Sequence, residues 1–185
     1  MTQEKEAIFL FLNHYLALGT LIGFITCLIW LVVLIYSWKS KKITKGFSWV
    51  TKYSLPLGFF STLFAMLMSL YYSDYLGVLP CGLCWFQRVF IYSQVFLFAF
   101  AWYKKDYKIF SYSVLLSIMG GIVAIYQEYL QLGYSEFVPC PAIASTVDCA
   151  KPTFISYGFM TFPFMSVVLF GFLILLAYTV KHSKK

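Results

Sequence analysis

Apolar residues in this chain are grouped into five long runs, which short polar or charged segments separate. About 18 or more apolar residues in a row can cross roughly 30 Å of hydrocarbon as a helix. We therefore predict five membrane-spanning helices, at residues 15–38, 53–73, 85–103, 109–130 and 157–180. The predicted fold class is all-α, a polytopic membrane helical bundle.

Composition supports the same class. Apolar residues make up 61% of the chain and charged residues 11%, whereas a soluble domain carries about 25% charged residues. The net charge of +7 raises the possibility of nucleic-acid binding. We exclude that class because the charges stand in short clusters between the apolar runs, as they do in proteins embedded in membrane lipid.

The basic residues predict an orientation. Eleven of the fourteen lie between spans one and two, between spans three and four, or after span five. With five spans these three segments share one side, and the positive-inside rule makes that side the cytoplasm. The N-terminus and the segments 74–84 and 131–156 are then expected outside. The eleven residues are Lys39, Lys41, Lys42, Lys45, Lys52, Lys104, Lys105, Lys108, Lys181, Lys184 and Lys185.

Four of the five cysteines fall in the two outer segments, where disulfides persist. Cys81 and Cys84 stand in PCGLCWFQR, a spacing that suits a disulfide or a metal. Cys140 and Cys149 stand in VPCPAIASTVDCA, and the prolines around Cys140 predict an extended, accessible loop. We favour redox chemistry. A zinc site of four thiolates, or a second pair that merely staples the loop, remains open. Cys27 lies mid-span, and we assign it no role.

Arg88 adds to the redox interpretation. If a helix begins near Cys84, then Cys84 and Arg88 are four residues apart on one face. The helix N-terminus and the cation would both stabilise a thiolate at Cys84. A cation one turn into the membrane is costly and indicates function. The alternative is that Arg88 reaches back to lipid phosphates.

The motif CGLCWFQR at an outer loop–helix junction, followed two spans later by an outer cysteine pair, resembles the DsbB family of disulfide bond formation proteins, in a BdbC-like form. The resemblance covers about residues 53–180. It implies an enzyme of the bacterial cytoplasmic (inner) membrane that re-oxidises a DsbA-like thioredoxin-fold oxidase. The two electrons would pass to a membrane quinone, ubiquinone or menaquinone, and the reaction would support disulfide formation in exported proteins.

The resemblance also implies residue roles. Cys84 would engage the quinone with the support of Arg88, and Cys81 would be its disulfide partner. The reduced partner protein would attack Cys140, and Cys149 would relay by attacking the Cys81–Cys84 bond. From the sequence alone four cysteines allow three pairings. Gln87 and Gln94 could hydrogen-bond a quinone or pair between helices.

Two features depart from the family pattern. The first is a fifth span in front of the family's four, which divides the chain into an extra span with a basic loop (1–52), a four-helix core (53–180) and a basic tail (181–185). The second is that the outer pair is closer together than in the best-known members. The rival interpretations are a vitamin K epoxide reductase-like enzyme and a non-enzymatic membrane protein with structural disulfides or zinc.

Overall fold

Five α-helices, each long and apolar enough to cross a membrane, make up most of the computed structural model. The structure describes residues 3–40, 45–135 and 148–183. Within these ranges no β-strand forms, apart from an isolated bridge between Ser156 and Met160. The predicted fold class, an all-α polytopic bundle, is confirmed. The helices are α1 (Gln3–Ser40), α2 (Lys45–Leu70), α3 (Gly82–Lys104), α4 (Ile109–Gln131) and α5 (Phe162–Ser183).

Helices α2 to α5 form the core of the bundle. Helix α4 packs between α3 and α5, and α2 packs against the same two helices. Helix α1 packs mainly against α5 from outside this group, through ring contacts such as Phe24 with Phe164 and Trp30 with Phe172. Most large apolar side chains of α1 are exposed, as expected for a helix that faces lipid on most of its surface.

One end of the bundle, called here the cysteine end, contains the start of α1, the end of α2 and the start of α3. After α2 the chain makes one π-helical turn, Tyr71–Tyr75. The Tyr72 hydroxyl donates to Asn13 Oδ1 at 2.6 Å, and Lys5 Nζ donates to the Tyr75 carbonyl at 2.7 Å. These bonds attach α1 to the segment that leads to Cys81.

The start of α5 is attached to α4 at the same end. The hydroxyl of Thr161 donates to the carboxylate of Glu128, and the Phe164 amide donates to Thr161 Oγ1 at 3.4 Å. Thr161 is 1% exposed. Because the first amides of a helix lack partners within the helix, a hydroxyl and a carboxylate stabilise the helix at this position.

Three predicted spans have other limits in the structure, and one of them is α2, which begins at Lys45 and not at residue 53. Helix α1 begins at Gln3, not at residue 15, since no helix breaker precedes residue 15 and acidic residues stabilise a first turn. Helix α5 begins at Phe162, not at residue 157. Residues 156–160 instead form a reverse turn in which Tyr157 and Gly158 have φ values of 53° and 80°. Left-handed backbone of this kind ends regular helix.

Gly120 on α4 leaves room for the buried ring of Phe170 on α5. A Cβ at this position would overlap the buried ring of Phe170, whereas a Cβ at Gly121 would lie 3.8 Å from Phe170 Cβ, an ordinary contact. We expect Gly120→Ala to lower the free energy of unfolding by about 1–3 kcal/mol through overpacking. Thermal unfolding in detergent micelles measures this. Gly121→Ala is the matched control, and equal loss in both variants would contradict the packing described.

Candidate active site

The Cys81–Cys84 motif stands at the start of α3. Cys81 is the N-cap residue, with extended backbone (φ −76°, ψ 173°), and the helix begins at Gly82. The Trp85 amide donates to the Cys81 carbonyl at 3.1 Å, which closes the first turn around Cys84. The amides of this turn point toward the cysteine end and carry the positive end of the helix dipole. The structure therefore places Cys84 where a negative charge is stabilised.

The two sulfurs of the motif face each other as free thiols. Cys81 Sγ and Cys84 Sγ are 3.0 Å apart, and Cys81 is buried. The hydrogen bond to Cys84 and burial raise the pKa of the Cys81 thiol above its ordinary value. Cys81 is therefore the member of the pair that keeps its proton. Either sulfur could be the donor in the contact between them, and the raised pKa of Cys81 favours Cys81 as the donor.

Gln127 on α4 joins both sulfurs and was not singled out from the sequence. Its Nε2 lies 3.1 Å from Cys81 Sγ and 3.2 Å from Cys84 Sγ. Its Oε1 accepts a hydrogen bond from Gln87 Nε2 at 2.6 Å. Both glutamines are buried. The signal in the sequence that could have identified Gln127 was a polar amide near the outer end of an apolar span.

Gln87 and Gln94, the two glutamines considered above as quinone ligands or interhelical partners, both have partners on α4. Gln87 pairs with Gln127. Gln94 Oε1 accepts from Ser113 Oγ at 2.6 Å and from Ser117 Oγ at 3.3 Å. Pairing between helices therefore accounts for one end of each amide.

Arg88 lies one turn deeper than Cys84 on α3. Its Nη2 donates to the Ser69 carbonyl in the last turn of α2 at 3.0 Å. Its guanidinium carbon lies 5.1 Å from the centre of the Trp85 ring. Among the described residues it makes no hydrogen bond to a cysteine sulfur. Arg88 therefore fills a hydrogen-bonding need at the end of α2, and its charge lies one helical turn from Cys84 along α3.

Cys149 comes back to the same place from the segment before α5. It is fully buried and disulfide-bonded, and it belongs to one buried cluster with Cys81 and Leu130. Cys84 packs against this cluster. The carbonyl of Cys149 accepts from Gln131 Nε2 on α4 at 3.3 Å. The structure therefore brings three of the four predicted cysteines together, while Cys140 lies outside the described residues.

The remaining features are Cys27 and the groups that could bind zinc. Cys27 is a partly buried free thiol on α1. In the part of the chain that the structure describes, no group of three or more histidine, cysteine, aspartate or glutamate side chains is arranged to hold a metal. Cys149 is in a disulfide, and a disulfide sulfur is not the thiolate that zinc binds.

Comparison with known proteins adds independent information. The family model described as "Disulfide bond formation protein DsbB" matches residues 51–180. The chain is 39% identical to the SPbeta prophage-derived disulfide bond formation protein B of Bacillus subtilis (strain 168) over 61% of this chain and 75% of that protein. It is 33% identical to disulfide bond formation protein C of the same strain, over 66% and 88%.

A third relative is a probable disulfide formation protein of Coxiella burnetii (strain CbuK_Q154), which is 35% identical over 66% of this chain and 83% of that protein. No solved structure matches the chain. The family match covers 130 residues of 185 and includes the CxxC motif, Arg88, Gln127 and Cys149. The chain is a multi-pass membrane protein that belongs to the DsbB family of disulfide bond formation proteins.

Proposed function

We propose that this protein is a thiol:quinone oxidoreductase that re-oxidises a DsbA-like thioredoxin-fold oxidase and so supports disulfide formation in exported proteins. Family membership supports the coarser statement, an oxidoreductase role in disulfide formation. The observation that carries the finer proposal is the buried cluster in which Cys149 meets Cys81 beside Cys84. A disulfide that only stapled the outer segment would have no need to lie against a reduced thiol pair.

The relay proceeds by thiolate attack on disulfides. One thiolate of the reduced partner attacks Cys140 in a Cys140–Cys149 disulfide, and Cys149 leaves as a thiolate. Cys149 then attacks Cys81 in the Cys81–Cys84 disulfide, and Cys84 leaves as a thiolate. The second partner thiol resolves the mixed disulfide, which frees Cys140.

Cys140 then attacks the transient Cys149–Cys81 disulfide, which restores Cys140–Cys149 and leaves Cys81 as a thiol. The net result is an oxidised partner and a reduced Cys81–Cys84 pair, so two electrons have moved toward the membrane.

The residues around Cys84 fit a quinone. A quinone, when bound, supplies a two-electron, two-proton acceptor that has a planar ring and carbonyl oxygens. Among the described residues Arg88 makes one hydrogen bond, which leaves N–H donors of its guanidinium for a carbonyl. The Trp85 ring against this guanidinium is 52% exposed on the outside of the bundle. Arg88 and Cys84 would hold the quinone, with Arg88 stabilising negative charge beside the sulfur.

We propose that the cysteine end faces the outside of a bacterial cytoplasmic membrane. Lys5, the 76–81 loop and Cys149 share this end. Lys104 and Lys105 end α3 at the opposite end, and Lys181 lies in the last turn of α5. We also retain the proposed division into an extra span (1–52), a four-helix core (53–180) and a basic tail (181–185).

The test is direct coupling of the two half-reactions. The purified full-length protein in detergent is mixed with a reduced thioredoxin-fold oxidase and a short-chain quinone, and quinone absorbance is followed. We expect catalytic quinone reduction with stoichiometric oxidation of the partner. Partner oxidation without quinone reduction would contradict the proposal. If the cysteines react with neither the reduced partner nor the quinone, the result would favour the structural-disulfide alternative.

Arg88→Ala should weaken the quinone half of this reaction. Loss of a charge-assisted contact of roughly 1.5–3 kcal/mol should lower turnover about tenfold or more and raise the apparent KM for quinone. Steady-state assays with varied quinone at saturating partner measure both. Arg88→Lys, which keeps the charge, should fall between Arg88→Ala and the unmodified protein. An unchanged KM in Arg88→Ala would instead favour a role limited to the Ser69 carbonyl or to lipid phosphates.

A further inference from the structure

We propose that Gln127, held in one orientation by Gln87, sets the reduction potential of the Cys81–Cys84 pair by donating hydrogen bonds to both sulfurs of its reduced form. This inference rests on the proposed redox role of the pair. It adds two residues, on α3 and α4, whose effect is on the equilibrium between dithiol and disulfide. Neither residue touches the quinone or the partner protein in this scheme.

The geometry assigns the two ends of the Gln127 amide. Nε2 lies 3.1 and 3.2 Å from the two sulfurs, so its two N–H groups can serve one sulfur each. Oε1 is farther from Cys84 Sγ, at 3.7 Å, and accepts from Gln87 Nε2 at 2.6 Å. Rotating the Gln127 amide by half a turn would bring its NH₂ group against that of Gln87. Gln87 is therefore a positioning residue that keeps the N–H groups on the sulfurs.

The donors favour one redox state. A disulfide sulfur is a weak hydrogen-bond acceptor, whereas a thiolate forms charge-assisted hydrogen bonds of about twice the usual strength. Gln127 is 1% exposed, and in such low-dielectric surroundings each bond is stronger than in water. Reduction takes two electrons and one or two protons into the Cys81–Cys84 disulfide and gives a thiol at Cys81 with a thiol or thiolate at Cys84. Donation from Gln127 stabilises that product.

The consequence is a direction for the relay. By stabilising the reduced pair, Gln127 makes the Cys81–Cys84 disulfide a stronger oxidant toward the Cys149 thiolate. The Gln127 amide is also uncharged. It therefore favours the thiolate without forming an ion pair that would have to be broken at each turnover. Arg88 contributes charge from one turn deeper, and Gln127 contributes direct hydrogen bonds.

The experiment measures the potential without partner or quinone. Full-length protein freed of quinone is equilibrated anaerobically in dithiothreitol redox buffers, then alkylated. Mass spectrometry of the peptide that contains residues 81–88 gives its reduced fraction. In Gln127→Leu we expect the equilibrium constant for reduction to fall at least about tenfold, a potential about 30 mV more negative. Thiolate ultraviolet absorbance should also appear at higher pH than in the unmodified protein.

Gln87→Leu should shift the potential in the same direction by a smaller amount, although its side chain touches neither sulfur. It tests the inference even if Gln127→Leu does not fold. Gln94→Leu is the matched control, since it removes a fully buried glutamine of α3 that contacts Ser113 and Ser117 instead. Unchanged potentials in the Gln127 and Gln87 variants, or an equal shift in Gln94→Leu, would overturn the inference. A shifted potential in a protein without turnover would count against the proposed function alone.

Discussion

Cys84→Ser should reduce partner-dependent quinone reduction by at least about a thousandfold, the scale seen when an enzyme loses a residue that acts in covalent exchange. Without the second sulfur, Cys81 cannot form the disulfide that accepts two electrons from Cys149. The serine hydroxyl can still accept the hydrogen bond from Gln127 and occupy the first turn of α3, so the fold should be retained. The quinone absorbance assay measures the loss.

Cys27→Ala is the matched control for this result. Cys27 is a free, partly buried thiol on α1, and its removal should leave turnover within about twofold of the unmodified protein, as expected for a thiol that takes no part in exchange. Full turnover in Cys84→Ser would refute the relay. Equal loss of turnover in both variants would mean that the assay responds to the removal of any thiol and does not report on the relay.

Cys149→Ser should stop the relay, and it should leave Cys140 able to form a stable mixed disulfide with a partner that lacks its second cysteine. When the partner thiolate attacks Cys140, the mixed disulfide normally lasts only until the second partner thiol resolves it. Cys149 drives the electrons onward because it lies in the cluster with Cys81. Without it, Cys140 has no partner sulfur in its own segment, and the Cys81–Cys84 pair receives no electrons through the relay. Turnover should be lost to a similar extent as in Cys84→Ser.

Trapping is measured on non-reducing gels. A reduced thioredoxin-fold partner that keeps only its attacking cysteine is offered a Cys149→Ser protein whose Cys140 has been activated as a mixed disulfide with a small aromatic thiol. A reductant-sensitive complex should then account for most of the protein. The same treatment of a Cys140→Ser protein, in which the cysteine left between α4 and α5 is the fully buried Cys149, should give little complex. Equal trapping in both variants would reverse the assigned order of attack.

Sequence patterns predicted the five spans because apolar length alone decides whether a helix crosses a membrane. The start of α3 also followed from local chemistry, since Pro80 and the CxxC motif precede an uninterrupted helical run. The pattern failed before α5. Residues 157–161 are mostly apolar or aromatic and continue the run in composition, yet Tyr157 and Gly158 turn the chain back on itself.

Gln127 shows why the site was only partly predictable. A lipid-embedded helix is apolar on all sides, so its sequence does not specify which face meets its neighbours. Whether Gln127 faced the sulfurs or another helix depended on the rotation of α4 against α3. The bond from Arg88 to the Ser69 carbonyl was equally hidden, because it depends on where α2 ends in space and not on any residue type.

Consecutive residues of α4 hold different parts of the protein. Gln127 contacts the thiols of the α3 motif, and Glu128 holds Thr161 at the start of α5. One inserted or deleted residue rotates the rest of a helix by about 100°, so it would separate both contacts from their partners at once. Insertions and deletions should therefore be tolerated in the connecting segments but not in the outer half of α4. This half of α4 keeps the two cysteine-bearing segments in register.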